Sequence, residues 1–185
     1  TKISEAQNIQ LGIIAPDGRD GMIQHAQQFA DAGIPFIFDP GQGLPMFNGE
    51  DLLQFARQAS YIALNDYEAQ LFEDRTGLPP EEIAKLVDAL IITRGAEGSY
   101  IYTEGKRIEI PCAKAEKIVD PTGCGDAYRA GLLHGILHGK DWEITGRIAS
   151  LLGAIKIEQH GTQNHQFTSE SFAQRFEHNF GMQLA

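Results

Sequence analysis

The sequence is poor in the residues and runs that mark several large protein classes. It has two cysteines, Cys112 and Cys124, in 185 residues. That is too few for a disulfide scaffold, and their spacing is not that of a metal site, so a reducing, cytoplasmic setting is expected. Apolar runs last only a few residues, too short to span a bilayer. No basic stretch followed by an apolar one opens the chain, so no secretory leader is expected. Positive charge is scarce: 15 Lys and Arg stand against 25 Asp and Glu, a formal net charge of −10. Nucleic acid and anionic membranes are poor partners for such a chain. A phosphorylated small molecule is not excluded, because phosphate sites are often built from backbone N–H groups.

Several ligand motifs are also missing. A dinucleotide-binding Gly-x-Gly-x-x-Gly would need a third glycine where Gly41-Gln-Gly43 runs on to Met46. Neither Gly105-Lys106 nor Gly139-Lys140 has the upstream glycine of a Walker loop. His134 and His138 are spaced as in helical zinc sites, but the Gly-Ile-Leu between them lacks the glutamate.

What remains is an ordinary globular composition, 42% hydrophobic and 22% charged. Buried-strand patterns at residues 11–15, 35–38, 61–64 and 89–93 alternate with helical periodicity at 22–32, 52–59, after Asn65 and from Pro80. Residues 99–103 and 107–110 flank Glu104-Gly105-Lys106 as a hairpin. Helical stretches close the chain at about 124–138, 141–159 and 169–180, with Phe167, Phe172, Phe176 and Phe180 expected as packing residues of the last helix. The alternation predicts an α/β fold: one continuous domain over 1–185, a doubly wound, mostly parallel sheet with helices on both faces. Ligands of such sheets sit at the carboxyl ends of the strands. That rule nominates the loops at 39–43, 65–68, 93–98 and 120–126.

The most informative is Asp120-Pro-Thr-Gly-Cys-Gly-Asp126, which opens an amphipathic helix. Gly123 and Gly125 let the backbone turn with its N–H groups aligned, and the helix terminus adds roughly half a positive charge. The result is a cradle for an anion such as a transferring phosphoryl group. Asp126 in the first turn is a proton acceptor at neutral pH, suited to an attacking hydroxyl. The same residues also describe a plain helix cap after a glycine turn.

The run from Asp120 to Gly131 closely resembles the C-terminal signature of the ribokinase-like (PfkB) carbohydrate and nucleoside kinases, departing by Cys124 where a small residue such as Ala is usual. The resemblance implies that Gly123, Cys124 and Gly125 form the anion hole and that Asp126 deprotonates the acceptor hydroxyl. It implies ATP and Mg2+ as cofactors. Asn65-Asp-Tyr-Glu68 looks like the family's Asn-x-x-Glu element of the magnesium and phosphate network, with Asn65 and Glu68 acting through water. Those four residues equally spell a capping box. Thr93-Arg-Gly-Ala-Glu-Gly98 looks like the turn that approaches the nucleotide, with Thr93, Gly95 and Gly98 its contacts. Alone it reads as a hairpin turn. Residues 153–165 look like the border of the adenine pocket. Asp120 and the Thr122 carbonyl match where some members bind a monovalent cation, which would be K+.

The implied reaction moves the ATP γ-phosphoryl group to a primary hydroxyl of a nucleoside, adenosine for preference, or of a sugar as in ribokinase- or fructokinase-like members. A non-catalytic nucleotide-binding module is the alternative, whose mark would be loss of Asp126 or the glycines. The partners implied are small molecules, and a homodimer is left open. The chain begins at Thr1 rather than Met, and the family's Gly-Gly signature, acceptor-binding half and lid are not found in these residues. The expectation is therefore a C-terminal portion, one that binds its acceptor poorly by itself.

Overall fold

β-Branched and aromatic runs, each closed by Gly, Pro or Asx, set the strands. In a computed structural model that describes residues 2–184, they are β1 (Gly12–Ile14), β2 (Phe36–Phe38), β3 (Tyr61–Asn65), β4 (Ala89–Thr93), β5 (Ser99–Thr103) and β6 (Lys106–Ile110). They form one six-stranded sheet in the order β1-β2-β3-β4-β5-β6. The pairs β1/β2, β2/β3 and β3/β4 are parallel, with Ile13 opposite Ile37, Phe38 opposite Ile62 and Asn65 opposite Thr93. Between them run α1 (Arg19–Asp31), α2 (Gly49–Gln58), α3 (Asp66–Thr76) and the single turn α4 (Pro80–Ile83). The tight turn between β5 and β6 uses left-handed backbone at Glu104 (φ 50°) and Gly105 (φ 70°), the twist that a two-residue hairpin needs.

The chain divides into two compact units. One takes in the chain up to Arg94 together with Tyr100–Ile108; the other is Gly95–Ser99 and the chain from Glu109 on. In the first, Phe36, Phe38, Ile62, Leu64, Leu90 and Ile92 pack with Met22 and Ala26 of α1, Leu52 and Phe55 of α2, and Phe72 of α3. Phe38 stacks on Phe55 with ring centroids 4.1 Å apart. The alternate residues Ile37, Ala63, Ala89 and Ile91 point to the other face and are fully buried as well. A sheet hidden on both sides reads as continuous apolar runs, which is how β2 to β4 read in the sequence.

The second unit is built on α5 (Cys124–Leu137), α6 (Trp142–Ile157) and α7 (Ser169–Phe180). α5 and α6 approach closely because Gly131 and Gly135, one turn apart, leave room for the Ala149 backbone and for Thr145. Phe172 and Phe176 of α7 are buried with Leu151 and Ile155 of α6. Phe167 is instead nearly half exposed and lies parallel to the His165 ring at 6.3 Å. The 39–43 loop runs into a 3-10 helix, Gly41–Met46, that accommodates Pro45.

Candidate active site

The second unit holds the Asp120–Asp126 loop. Gly123 is the N-cap of α5 in left-handed backbone (φ 81°), a conformation costly for any residue with a Cβ. A Cβ there would also press on Thr162 at 3.1 Å. The Cys124 N–H donates to the Pro121 carbonyl at 3.1 Å, and the Ala127 N–H makes the first helical bond to Gly123 at 3.0 Å. The N–H groups of Gly125 and Asp126, between them, are the ones whose position leaves no intrahelical carbonyl. Of the residues expected to form the anion hole, Cys124 thus uses its N–H to close the turn. Beside Gly125 a Cβ would meet only Arg129 Nη1, at 4.0 Å, so the approach to the turn is open. The Asp126 carboxylate is exposed in the first turn. The Cys124 thiol is pushed up by burial, so it sits at the mouth as a small neutral side chain.

Asp120 organises the loop. Its Oδ1 accepts from the Thr122 N–H at 2.9 Å and its Oδ2 from the Gly161 N–H at 2.8 Å. The Thr122 N–H and hydroxyl, then the Gly161 N–H and the Lys156 charge, bring the carboxyl down to about 2. The Val119 and Asp120 N–H groups both reach the Ile157 carbonyl, at 2.9 and 3.0 Å. Lys156 is fully buried in the last turn of α6, and its ammonium donates to the Asp120 carbonyl at 2.7 Å and the Gln159 carbonyl at 3.3 Å. Lys156 and Gly161 lie in the 153–165 stretch read as a border of the adenine pocket, and nothing in the sequence singled them out as partners of Asp120. A lysine in a helix's last turn reads as a solvated cation favoured by the dipole, and only the fold buries it.

The turn expected to approach the nucleotide has Gly95 and Gly98 in the same unit. Both have left-handed backbone, φ 56° and 84°, around a 3-10 turn. Gly95 has open space at its Cα, whereas a Cβ on Gly98 would collide with the Ile110 carbonyl. The next residue, Ser99, is tied to α5 by a 2.6 Å hydrogen bond with the Tyr128 hydroxyl, both groups buried. Burial pushes that phenol up to about 12, against the opposing Ser99 bond.

In the first unit the structure brings Asn65, Glu68 and Thr93 together at the carboxyl ends of β3 and β4. Asn65 and Thr93 are register partners, and the Thr93 hydroxyl donates to the Leu64 carbonyl at 3.4 Å. Asn65 caps α3, its Oδ1 accepting from the Glu68 N–H at 2.7 Å. Glu68 answers with Oε2 on the Asn65 N–H and Oε1 on its side-chain amide, each at 2.9 Å. The capping box is therefore real. A carboxylate has about four acceptor positions, so two bonds to Asn65 are compatible with a further bond to a magnesium-bound water.

Comparison with known proteins bears on the family. Residues 1–168 match the model of the pfkB family carbohydrate kinases. A nucleoside kinase of Methanocaldococcus jannaschii is 39% identical over 140 residues, which is 76% of this chain and 46% of that protein. The structure of a Burkholderia thailandensis nucleoside kinase in complex with inosine superimposes with a TM-score of 0.95 at 52% identity, over 97% of this chain and 59% of that one. An Arabidopsis thaliana ribokinase complexed with ribose and ATP shares the fold at a TM-score of 0.72 and 21% identity, over 91% of this chain and 56% of that one. The chain spans about half the length of the curated relatives it matches, 46% in the first two. With its mostly parallel sheet and a family match over residues 1–168, the chain belongs to the pfkB family of carbohydrate kinases.

Proposed function

We propose that this chain carries the ATP-side catalytic apparatus of a nucleoside kinase. The observation that carries the reading is an exposed Asp126 in the first turn of α5, beside the open glycine turn that Asp120 holds. Asp126 accepts the proton of the acceptor's primary hydroxyl as its oxygen bonds to the γ-phosphorus. The bond to the bridging oxygen breaks and ADP leaves. The N–H groups of Gly125 and Asp126, with the α5 dipole, take up charge on the phosphoryl oxygens, while Gly123 and Cys124 hold the turn that aims them. Gly95 and Gly98 line the nucleotide's approach. Asn65 and Glu68 would hold magnesium through water, and the ion would supply charge neutralisation to a phosphate.

The acceptor we assign is a purine nucleoside, adenosine first. A relative half identical to this chain was solved with inosine, which supports a nucleoside over a sugar. The test is phosphorylation by the full-length protein of a panel of adenosine, inosine, guanosine, cytidine, ribose and fructose, with Asp126→Asn alongside. Expected is turnover of a purine nucleoside, lost by about 10²- to 10⁴-fold in the variant while ATP binding persists. Undiminished turnover by Asp126→Asn would overturn the role of Asp126. Turnover of ribose or fructose alone would overturn the acceptor.

A further inference from the structure

The oxygen cluster around Asp120 poses a question of charge. If K+ is to act there, it needs carbonyl and carboxylate oxygens facing inward, and a positive ion already stands among them. The Lys156 ammonium is fully buried, 2.7 Å from the Asp120 carbonyl and 3.3 Å from that of Gln159. The two Asp120 carboxylate oxygens accept from the Thr122 and Gly161 N–H groups. These residues do not fit a bound K+ as well as they fit the lysine.

A buried ammonium is costly to desolvate and is tolerated only when hydrogen-bonded and compensated. Here the compensation is local: two carbonyls, the negative end of α6, where Lys156 occupies the last turn, and the Asp120 carboxylate. An apolar residue of similar volume in a helix's last turn would avoid that cost. The ammonium, however, adds a charged link between two loops that the Asp120 carboxylate also joins through the Gly161 N–H. It holds the carbonyl of Asp120, whose carboxylate orients Thr122 ahead of Gly123, and it holds the Gln159 carbonyl two residues before Gly161. K+ and an ammonium have the same charge and nearly the same size, so one can replace the other among the same oxygens.

We propose that Lys156 is a built-in monovalent cation: a positioning residue that fixes the Asp120–Gly123 turn against the 159–161 loop and makes the protein independent of K+. The inference uses the kinase reading only for its activity arm; its stability arm stands without it.

The experiment measures the melting temperature and the nucleoside kinase rate of the full-length protein in K+, NH4+, Na+ and choline salts at constant ionic strength. Wild type and Lys156→Ala are compared. Expected is a wild type whose melting temperature and rate are the same, within about twofold in rate, in K+ and choline. Lys156→Ala should melt lower and lose about 10²-fold in rate, the scale of a misplaced catalytic loop. K+ and NH4+ should restore both saturably, with choline inactive. A purely structural lysine would give a loss that no small cation selectively repairs, and that result overturns the proposal. So does a wild type that needs K+, a measurement that decides the matter even if Lys156→Ala does not fold. Absence of any phosphorylation by wild type overturns the kinase reading alone, leaving the cation dependence of melting to test Lys156.

Discussion

At the scale of single residues, Gly123 carries two constraints at once, a left-handed backbone and a close neighbour in Thr162. Gly123→Ala should cost about 1–2 kcal/mol from the backbone alone, read by urea unfolding. Because the strain falls on the turn that aims the Gly125 and Asp126 N–H groups, the rate should fall further than the stability loss suggests. Equal stability in wild type and variant would remove the strain argument. The turn at 120–126 was legible in the sequence, since its glycines act on the local backbone. Which N–H groups face outward was not. Cys124 turns its own to Pro121, a choice set by how the turn closes.

Among elements, the pairing of α5 and α6 separates local from tertiary effects. By helix propensity, Gly131→Ala would be a gain of up to about 1 kcal/mol. By packing it is a loss, because the new methyl meets the Ala149 backbone and its Cβ at 3.1 Å. Overpacking costs about 1–3 kcal/mol, so packing wins and the variant should melt lower. A higher melting temperature would show that the helices part without cost. The strands β2 to β5 and helix α7 could be read from periodicity almost to the residue, because alternation and buried runs are written in every strand. The 3-10 helix at Gly41–Met46 was not, because Gly and Pro there signal a turn of any kind.

For the whole molecule, acid should be a sensitive axis. Asp120 falls from the usual 3.8 to about 2, chiefly through the Thr122 N–H. Burial is the largest influence on Glu158 and opposes its ionisation, yet the bidentate Arg175 contact and the Glu116 N–H outweigh it and lower its pKa. Both folded-state values lie below their unfolded ones. Their stability is thus fully present above about pH 4–5 and is lost as pH falls toward 2. The melting temperature should fall over that window, and Asp120→Asn should flatten part of the decline. An Asp120→Asn curve parallel to wild type would deny the carboxylate its part in stability.

The sequence by itself determined the alternation of strands and helices, the signature from Asp120 to Gly131 and the capping box at Asn65–Glu68. These are set within a few residues of chain, by side-chain periodicity, left-handed glycines and reciprocal caps. Tertiary structure alone decided what surrounds them. The closeness of α5 and α6, the bond between Ser99 and Tyr128 and the burial of Lys156 against Asp120 join residues 10 to 36 positions apart. No local pattern encodes such meetings. A lysine at the end of a helix becomes an internal cation only when the fold withdraws it from water and sets two carbonyls before it.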